Sequence, residues 1–138
     1  MFKVSVRTSS RLLYHEISKI VENNHGIKID NICLDPDVLV LYRNNENINL
    51  TTKVLIICNG EECNNVSAQI AVSCGISETN TITLSSTGVE NEMASLQRDI
   101  LSLKGNLLEP REINLGNIKG STEEKLLIAA LKLVLEVD

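Results

Sequence analysis

The clearest candidate for chemistry in this chain is a cysteine at the end of an apolar segment. Cys58 closes the run Lys53–Cys58 (KVLIIC), and a loop that begins with Asn59 and Gly60 follows it directly. In α/β proteins, ligands bind beyond the carboxyl ends of buried parallel strands. A thiolate at that position could act as a nucleophile, a phosphate carrier or a redox group. Cys58 is therefore the candidate catalytic residue.

The segment around Cys58 resembles two families in outline. Its order of strand, cysteine, loop and helix is similar to the low-molecular-weight tyrosine phosphatases and related arsenate reductases, and to the phosphocysteine IIB components of sugar phosphotransferase systems. Gly60 and Cys63 match the loop glycine and second cysteine of the phosphatases, and Ser86–Gly88 matches a small-residue turn after their next strand. The resemblance implies a cysteine-dependent enzyme or phosphocarrier that uses Cys58.

The loop also departs from the phosphatase pattern. Asn64 occupies the position of the arginine that binds phosphate in that family. Glu61 and Glu62 place carboxylates where an anion would bind, which opposes both phosphate binding and thiolate formation. We therefore interpret Cys58 as a buried strand-end side chain of low reactivity.

Three loops are predicted to meet at the carboxyl edge of the sheet. They are Asn59–Asn64, Ser85–Gly88 and Thr8–Ser10. The ligand contacts predicted within them are Asn59, Gly60, Ser86 and Gly88.

The remaining polar residues do not form a recognised metal or cofactor motif. His15 and His25 do not share a zinc-type spacing with the cysteines. Asp30, Asp35 and Asp37 could bind a hard cation or exchange protons, although a solvated turn beside a proline is the ordinary explanation. Neither a dinucleotide fingerprint nor a Walker loop occurs. We expect no metal and no cofactor.

The first half of the chain combines extended segments with one helix. Alternating apolar residues predict a strand at Phe2–Arg7, and helical spacing then predicts a helix that Gly26 stops. Ile27–Leu34 and Val38–Arg43 are expected to be extended. The polar segment Asn44–Thr52 is predicted to be a loop, and it is the one place where the chain could be subdivided.

The second half favours strands that alternate with helices. Lys53–Cys58 has no polar alternation, which predicts a central strand covered on both faces. A helix over Cys63–Ser73, ended by Gly75, and a strand at Thr81–Ser85 follow. This order predicts a Rossmann-like βαβ half from Lys53 onward.

The segment 92–115 permits two interpretations. Its apolar spacing favours a helix stopped by Gly105, whereas a β-hairpin that turns at Lys104–Asn106 is the alternative. Leu107–Leu115 is predicted to be a strand, and Pro110 places it at a sheet edge.

The final helix is apolar on most of its circumference. A capping box at Ser121–Glu124 opens it, and it is predicted to extend to about Val137. A surface helix needs only one apolar face, so this helix is either sandwiched within the domain or paired with a partner. We favour a partner, most simply a second copy of the chain, and therefore expect a homo-oligomer through the C-terminal helix.

Composition limits the remaining possibilities. The chain has 138 residues, 43% of them hydrophobic, only 2% aromatic, and a net charge of −5. These values predict a single small α/β domain (residues 1–138) with an aliphatic core and a mostly parallel or mixed sheet on which helices pack. An acidic chain with few aromatic residues is not expected to bind nucleic acid. We expect no membrane span, no secretory signal and a cytoplasmic location.

These observations favour a small, self-associating, non-catalytic module that binds a partner protein or a small ligand. The argument rests on the lack, in the sequence, of a nucleophile with its base, an anion cradle or a metal cage. The alternative is the cysteine-dependent enzyme or phosphocarrier.

Overall fold

A computed structural model describes residues 1–87 and 92–138. It has two compact units, Met1–Ala71 and Val72–Asp138, and the boundary falls inside strand β5 (Val66–Gly75). The predicted α/β class, with parallel and mixed strand pairing, is confirmed. A single domain with a possible subdivision at residues 44–52 stays a prediction.

The first unit is a parallel sheet with one helix. In chain order its elements before β5 are β1 (Phe2–Thr8), α1 (Arg11–Glu22), β2 (Ile27–Ile29), β3 (Val38–Tyr42) and β4 (Leu50–Cys58). The sheet order is β4-β3-β1-β2, and each of these pairs is parallel. After β1 and α1 the chain therefore adds β2 on one side of β1. It then crosses over β1 and adds β3 and β4 on the other side.

Helix α1 begins and ends through local hydrogen bonds. The Ser10 hydroxyl accepts from the Leu13 N–H at 3.1 Å, which caps the helix. Leu13, Ile17 and Val21 form its buried face. The helix ends at Glu22, ahead of Gly26, whose positive φ of 81° forms the turn into β2.

Strand β4 confirms the predicted burial on both faces. Its last five residues, Val54–Cys58, are all buried although side chains alternate between faces. The strand starts at Leu50, inside the predicted loop, and the Leu50 N–H donates to the Asn65 carbonyl at 3.1 Å. By contrast β2 is shorter than expected, because the Asp30 carboxylate accepts from the Ile32 N–H and turns the chain.

The second unit is a mixed sheet with one helix. After β5 its elements are β6 (Ile82–Thr87), β7 (Glu92–Leu96), β8 (Ile100–Leu101), β9 (Leu107–Leu108), β10 (Arg111–Asn114) and α2 (Thr122–Leu135). The strand order is β10-β7-β6-β5, in which β6 is parallel to β5 and the other pairs are antiparallel. The strand predicted at Leu107–Leu115 is interrupted at Glu109 and Pro110 and forms two short strands, β9 and β10; the predicted edge position holds for β10.

The predicted helix at Cys63–Ser73 is wrong, because the chain forms strand β5 there. Val66, Ala68, Ile70, Val72 and Cys74 are apolar at every second position, which is the period of a strand. Val66 and Ile70, four residues apart, also fit a helix. In the structure the last two residues of β5, Cys74 and Gly75, pair with β6.

The helix favoured within segment 92–115 is also wrong. Residues 92–96 form β7, and β8 and β9 form a short hairpin. Gly105, with a φ of 86°, lies in the turn, as the hairpin alternative required. The Rossmann-like pattern expected from Lys53 therefore has strands where both of its crossover helices were predicted.

Helix α2 is covered by its own chain. Ser121 and Glu124 form the predicted capping box. The helix contacts β6 on one side, and the β8–β9 hairpin reaches it through the Leu103 N–H, which donates to the Val134 carbonyl at 3.0 Å. The buried side chains of α2 are those of Leu126, Leu127, Ile128, Ala129, Ala130, Leu131, Val134 and Leu135.

Among the described residues, neither helix combines the length and the apolar character needed to cross a membrane.

A carboxylate at the end of α2 holds the hairpin. Glu136 caps the helix in a left-handed conformation, with a φ of 54°. Its oxygens accept from the Asn106 amide and the Ser102 hydroxyl, each at 2.8 Å. Hydrogen bonds from Asn106 and then Ser102 hold the pKa of Glu136 below its usual value, because they favour the charged form.

This contact predicts a pH dependence of stability. A carboxylate whose pKa is lowered by folding stabilises the native state above its unfolded pKa, and the contribution disappears as the pH falls through the folded pKa. Between about pH 5 and about pH 3 we expect Glu136→Gln to lose less stability than the wild type. Urea unfolding at several pH values measures the difference. The exposed Glu109→Gln is the control, and an unchanged pH slope in Glu136→Gln would contradict the assignment.

Candidate functional site

The carboxyl ends of three parallel strands lie along one edge of the first unit. In the register of the sheet Thr8 of β1 is beside Tyr42 of β3, and Leu41 of β3 is beside Ile57 of β4. The loops after β1, β3 and β4 therefore start next to one another. Two of the three predicted loops, those that start at Thr8 and Asn59, are at this edge.

Strands β1 and β3 form a topological switch point. The chain after β1 runs to β2 on one side, and the chain after β3 runs to β4 on the other side. The two loops diverge, and open parallel sheets bind ligands in the crevice that such divergence leaves.

A crevice of about 290 Å³ opens at this point. We call it the switch-point crevice. Its volume is at the lower end of the range for small-molecule sites. Its lining is mostly amides, hydroxyls and one ion pair, contributed by Val6, Arg7, Thr8, Ser9, Tyr14, Asn31, Asn44, Asn45 and Glu46.

Arg7 is the cation of the crevice, and the fold holds it in place. Its Nη2 donates to the Asn31 carbonyl, and its Nε donates to the Ser5 hydroxyl at 3.3 Å. Its Nη1 lies 3.3 Å from a carboxylate oxygen of Glu46. The exposed fraction of the Arg7 side chain is 21%, whereas that of Glu46 is 73%. A half-buried guanidinium is thus paired with a carboxylate that lies in solvent.

Asn31 builds one wall of the crevice. Its Oδ1 accepts from the Val6 N–H at 2.8 Å and from the Ser5 hydroxyl at 3.2 Å, and its Nδ2 donates to the Tyr14 hydroxyl at 3.1 Å. These bonds connect the end of β1, the chain after β2 and helix α1. The side chains of the wall are therefore fixed before any ligand arrives.

Hydroxyl groups from the loop after β1 also border the crevice. The Ser10 N–H donates to the Thr8 hydroxyl at 3.0 Å, and Ser10 in turn caps α1. A second recess of about 490 Å³ adjoins this loop and is lined by His15 and Ser18 as well as by Thr8 and Tyr14. Both spaces are thus bordered by the first turn of α1.

Arg43 ties the three loops together. It follows β3 with a φ of 50°, a left-handed conformation that is uncommon for a residue other than glycine. Its carbonyl accepts from the Ser9 N–H at 3.2 Å and from the Ser9 hydroxyl at 2.9 Å. Its N–H donates to the Glu61 carboxylate, and its guanidinium lies 5.2 Å from the centre of the Tyr42 ring. The loops after β1, β3 and β4 are therefore held in one arrangement.

The cysteine loop lies at the same edge but does not line the crevice. Cys58 is buried, with an exposed fraction of 5%. Asn59 and Gly60 are exposed in the turn after β4, where Gly60 has a φ of 93°. Glu61 contacts the backbone of Arg43, so this loop supports the edge rather than the lining.

The other predicted contacts belong to the second unit. Ser86 lies in β6, and its backbone is paired with Met93 of β7. Gly88 lies outside the described residues. Ser86 is not among the described residues that line the switch-point crevice.

Asp30 and Asp37, near the β2–β3 turn, have structural partners. The N–H groups of Cys33 and Ile32 hold the pKa of Asp30 below its usual value. Asp37 accepts from the Lys3 N–H at 2.8 Å and forms an ion pair with Lys53 at 3.1 Å. In residues 1–87 and 92–138 the acidic, histidine and cysteine side chains do not form a group of three that could hold a metal ion.

Sequence reasoning missed Arg7, Asn31 and Glu46. Arg7 was expected to end the first strand, and Glu46 lay in the predicted loop, but the two are 39 positions apart. A parallel pairing of the first and third strands would have placed them together. The polar residues at the ends of the predicted strands were visible in the sequence. The order of the strands in the sheet, which brings these residues together, was not.

Burial predicts an order of cysteine reactivity. Cys58 and Cys74 are buried, while Cys33 and Cys63 are partly exposed, and within the described residues no disulfide joins them. We expect a short maleimide pulse on the native protein to modify Cys33 and Cys63 first, because the reagent cannot reach the other two. Mass spectrometry of peptides, with and without urea, measures this. Rapid native labelling of Cys58 that Cys58→Ser abolishes would instead support the enzyme or phosphocarrier.

The comparisons with known proteins do not add to this geometry. Neither family models, nor curated proteins, nor solved structures give a match to this chain. The chemistry of the switch-point crevice is therefore argued from its own residues.

Proposed function

We propose that this chain is a non-catalytic binding module whose small-molecule site is the switch-point crevice. The observation that carries the proposal is the position of the crevice, at the point where the loops after β1 and β3 diverge. A pre-formed concave site with a few fixed polar groups is typical of ligand binding. The Asn31 wall and the Arg43 contacts provide that fixed geometry.

The chemistry of the lining supports binding rather than catalysis. The crevice offers amides, hydroxyls, one guanidinium and one carboxylate. A nucleophilic mechanism needs a nucleophile within hydrogen-bonding distance of a base. Cys58 is buried and is not among the residues that line the crevice. A cysteine-dependent enzyme or phosphocarrier stays the alternative, and the labelling experiment tests it.

A cytoplasmic location is part of the proposal. Cysteines without a disulfide among the described residues agree with a reducing compartment. The chain is acidic, so we do not propose nucleic acid as a partner.

Two tryptophan variants test the position of the site. Asn45 is exposed at the rim of the crevice, and Asn45→Trp should fill it, whereas Asn59→Trp changes an exposed residue of the cysteine loop. We expect small polar fragments to shift the backbone NMR signals of Asn31 and Asn44 in the wild type and in Asn59→Trp, but not in Asn45→Trp.

The reverse pattern would contradict the proposal. Binding that Asn59→Trp abolishes and Asn45→Trp preserves would place the site at Asn59 and Gly60, as the sequence first indicated. Unchanged thermal unfolding of both variants is the control for folding.

Self-association through the C-terminal helix stays a prediction. The helix exposes less apolar surface than its sequence suggested. Eight apolar residues of α2 are buried by its own chain. Leu133 and Val137 are only partly buried, and they line a groove of about 410 Å³ with Ile113 and Ile118. Two copies could pair through the partly exposed side chains of this groove.

Light scattering at increasing protein concentration tests this prediction. The homo-oligomer requires a dimer or larger species for the wild type and for Lys119→Glu, and a monomer for Leu133→Glu, because Lys119 is exposed outside the groove whereas Leu133 lines it. A wild-type monomer at high concentration would leave intramolecular packing as the whole explanation of the apolar helix.

A further inference from the structure

We propose that the switch-point crevice binds a small anion, a carboxylate or a phosphate, and that Glu46 occupies its place on Arg7 when the site is empty. This inference rests on the proposed function and names the class of ligand. It follows from how differently the two members of the ion pair are held.

The guanidinium of Arg7 is positioned by the fold and not by Glu46. Nη2 and Nε are bonded to Asn31 and Ser5, so the plane of the group is set from within the unit. Nη1 is directed to the crevice, where Glu46 meets it at 3.3 Å. Arginine binds carboxylates and phosphates through several N–H donors at once, and a pre-positioned guanidinium loses little freedom on binding.

The Glu46 carboxylate can be displaced from Arg7 at little cost in stability. Its side chain is largely exposed, and exposed ion pairs contribute little to stability. Its backbone is held separately, since the Asn44 side chain accepts from the Glu46 N–H at 3.3 Å and donates to the Glu46 carbonyl at 2.8 Å. The carboxylate can therefore move into solvent while the loop keeps its conformation.

The remaining lining suits a small acid. Among the described residues that line the crevice, Glu46 is the single one with a carboxylate. The hydroxyls of Thr8 and Tyr14 border the same space; each accepts a hydrogen bond, from the Ser10 N–H and the Asn31 amide, and can donate its own hydrogen to a ligand. An anion that replaces Glu46 on Arg7 would therefore meet donors and no competing negative charge. The volume of about 290 Å³ limits the ligand to a small molecule.

Charge variants of the pair test the proposal with inorganic phosphate and acetate as separate probes. NMR titration of the amide signals of Asn31 and Asn45 gives the dissociation constants. We expect Glu46→Gln to bind the better of the two probes about two- to fivefold more tightly, since the competing carboxylate is gone. Glu62→Gln, which removes an exposed carboxylate from the cysteine loop, should leave the affinity unchanged.

Arg7→Met is expected to abolish anion binding, and its amide spectrum shows whether the Asn31 wall survives. Arg7→Lys, which keeps the charge but loses the planar fork, should bind more weakly than the wild type. The probe that binds more tightly identifies the ligand as a carboxylate or a phosphate.

The outcomes separate this inference from the proposed function. Equal or weaker anion binding by Glu46→Gln would overturn the exchange on Arg7. Neutral fragments that bind the crevice while both anions do not would leave the binding module intact and refute the anionic ligand. A crevice that binds neither kind of probe would refute the proposed function itself.

Discussion

The first unit depends on the burial of one short strand between two parallel neighbours. All five residues of β3, Val38–Tyr42, are buried, and the strand pairs with β1 and β4. A strand without an exposed face must be covered on both sides, which parallel sheets achieve with layers of aliphatic side chains. Its register also places Thr8 beside Tyr42, and thereby brings the ends of three strands to one edge. The crevice, the Arg43 contacts and the cysteine loop all follow from that register.

The second unit solves a different packing problem. Helix α2 is apolar almost all round, so a single sheet face cannot cover it. The β8–β9 hairpin contacts the carboxyl-terminal end of the helix, where the Leu103 N–H donates to the Val134 carbonyl and Glu136 accepts from Ser102 and Asn106. The ion pair of Lys125 with Glu92, at 2.6 Å, ties the start of α2 to strand β7 and holds the pKa of Glu92 below its usual value. Intramolecular cover thus accounts for most of the apolar surface that suggested a partner.

The residues of the switch-point crevice do not belong to a recognisable sequence motif, yet the fold brings them together into a site. Arg7 belongs to a strand, Asn31 to a turn and Glu46 to a polar loop, and each has an ordinary structural explanation when taken alone. Their association depends on strand order. The cysteine loop, by contrast, had the more familiar local pattern, yet its thiol is buried and its two glutamates oppose an anion. A negative net charge of the chain does not preclude an anionic ligand, since a fixed guanidinium acts at contact distance.

Local patterns in the sequence determined the elements that depend on local physics. Ser121 caps α2 where predicted, and Val54–Cys58 is buried on both faces, because capping and burial on both faces leave direct signatures in residue order. Only the tertiary structure decided that β5 is a strand, that segment 92–115 contains a hairpin, and that Arg7 meets Glu46. Short apolar segments satisfy the periods of helix and strand alike, and pairing with a neighbour selects one of them. Contacts between residues 39 positions apart depend on strand order, which is set by long-range packing and leaves no local mark.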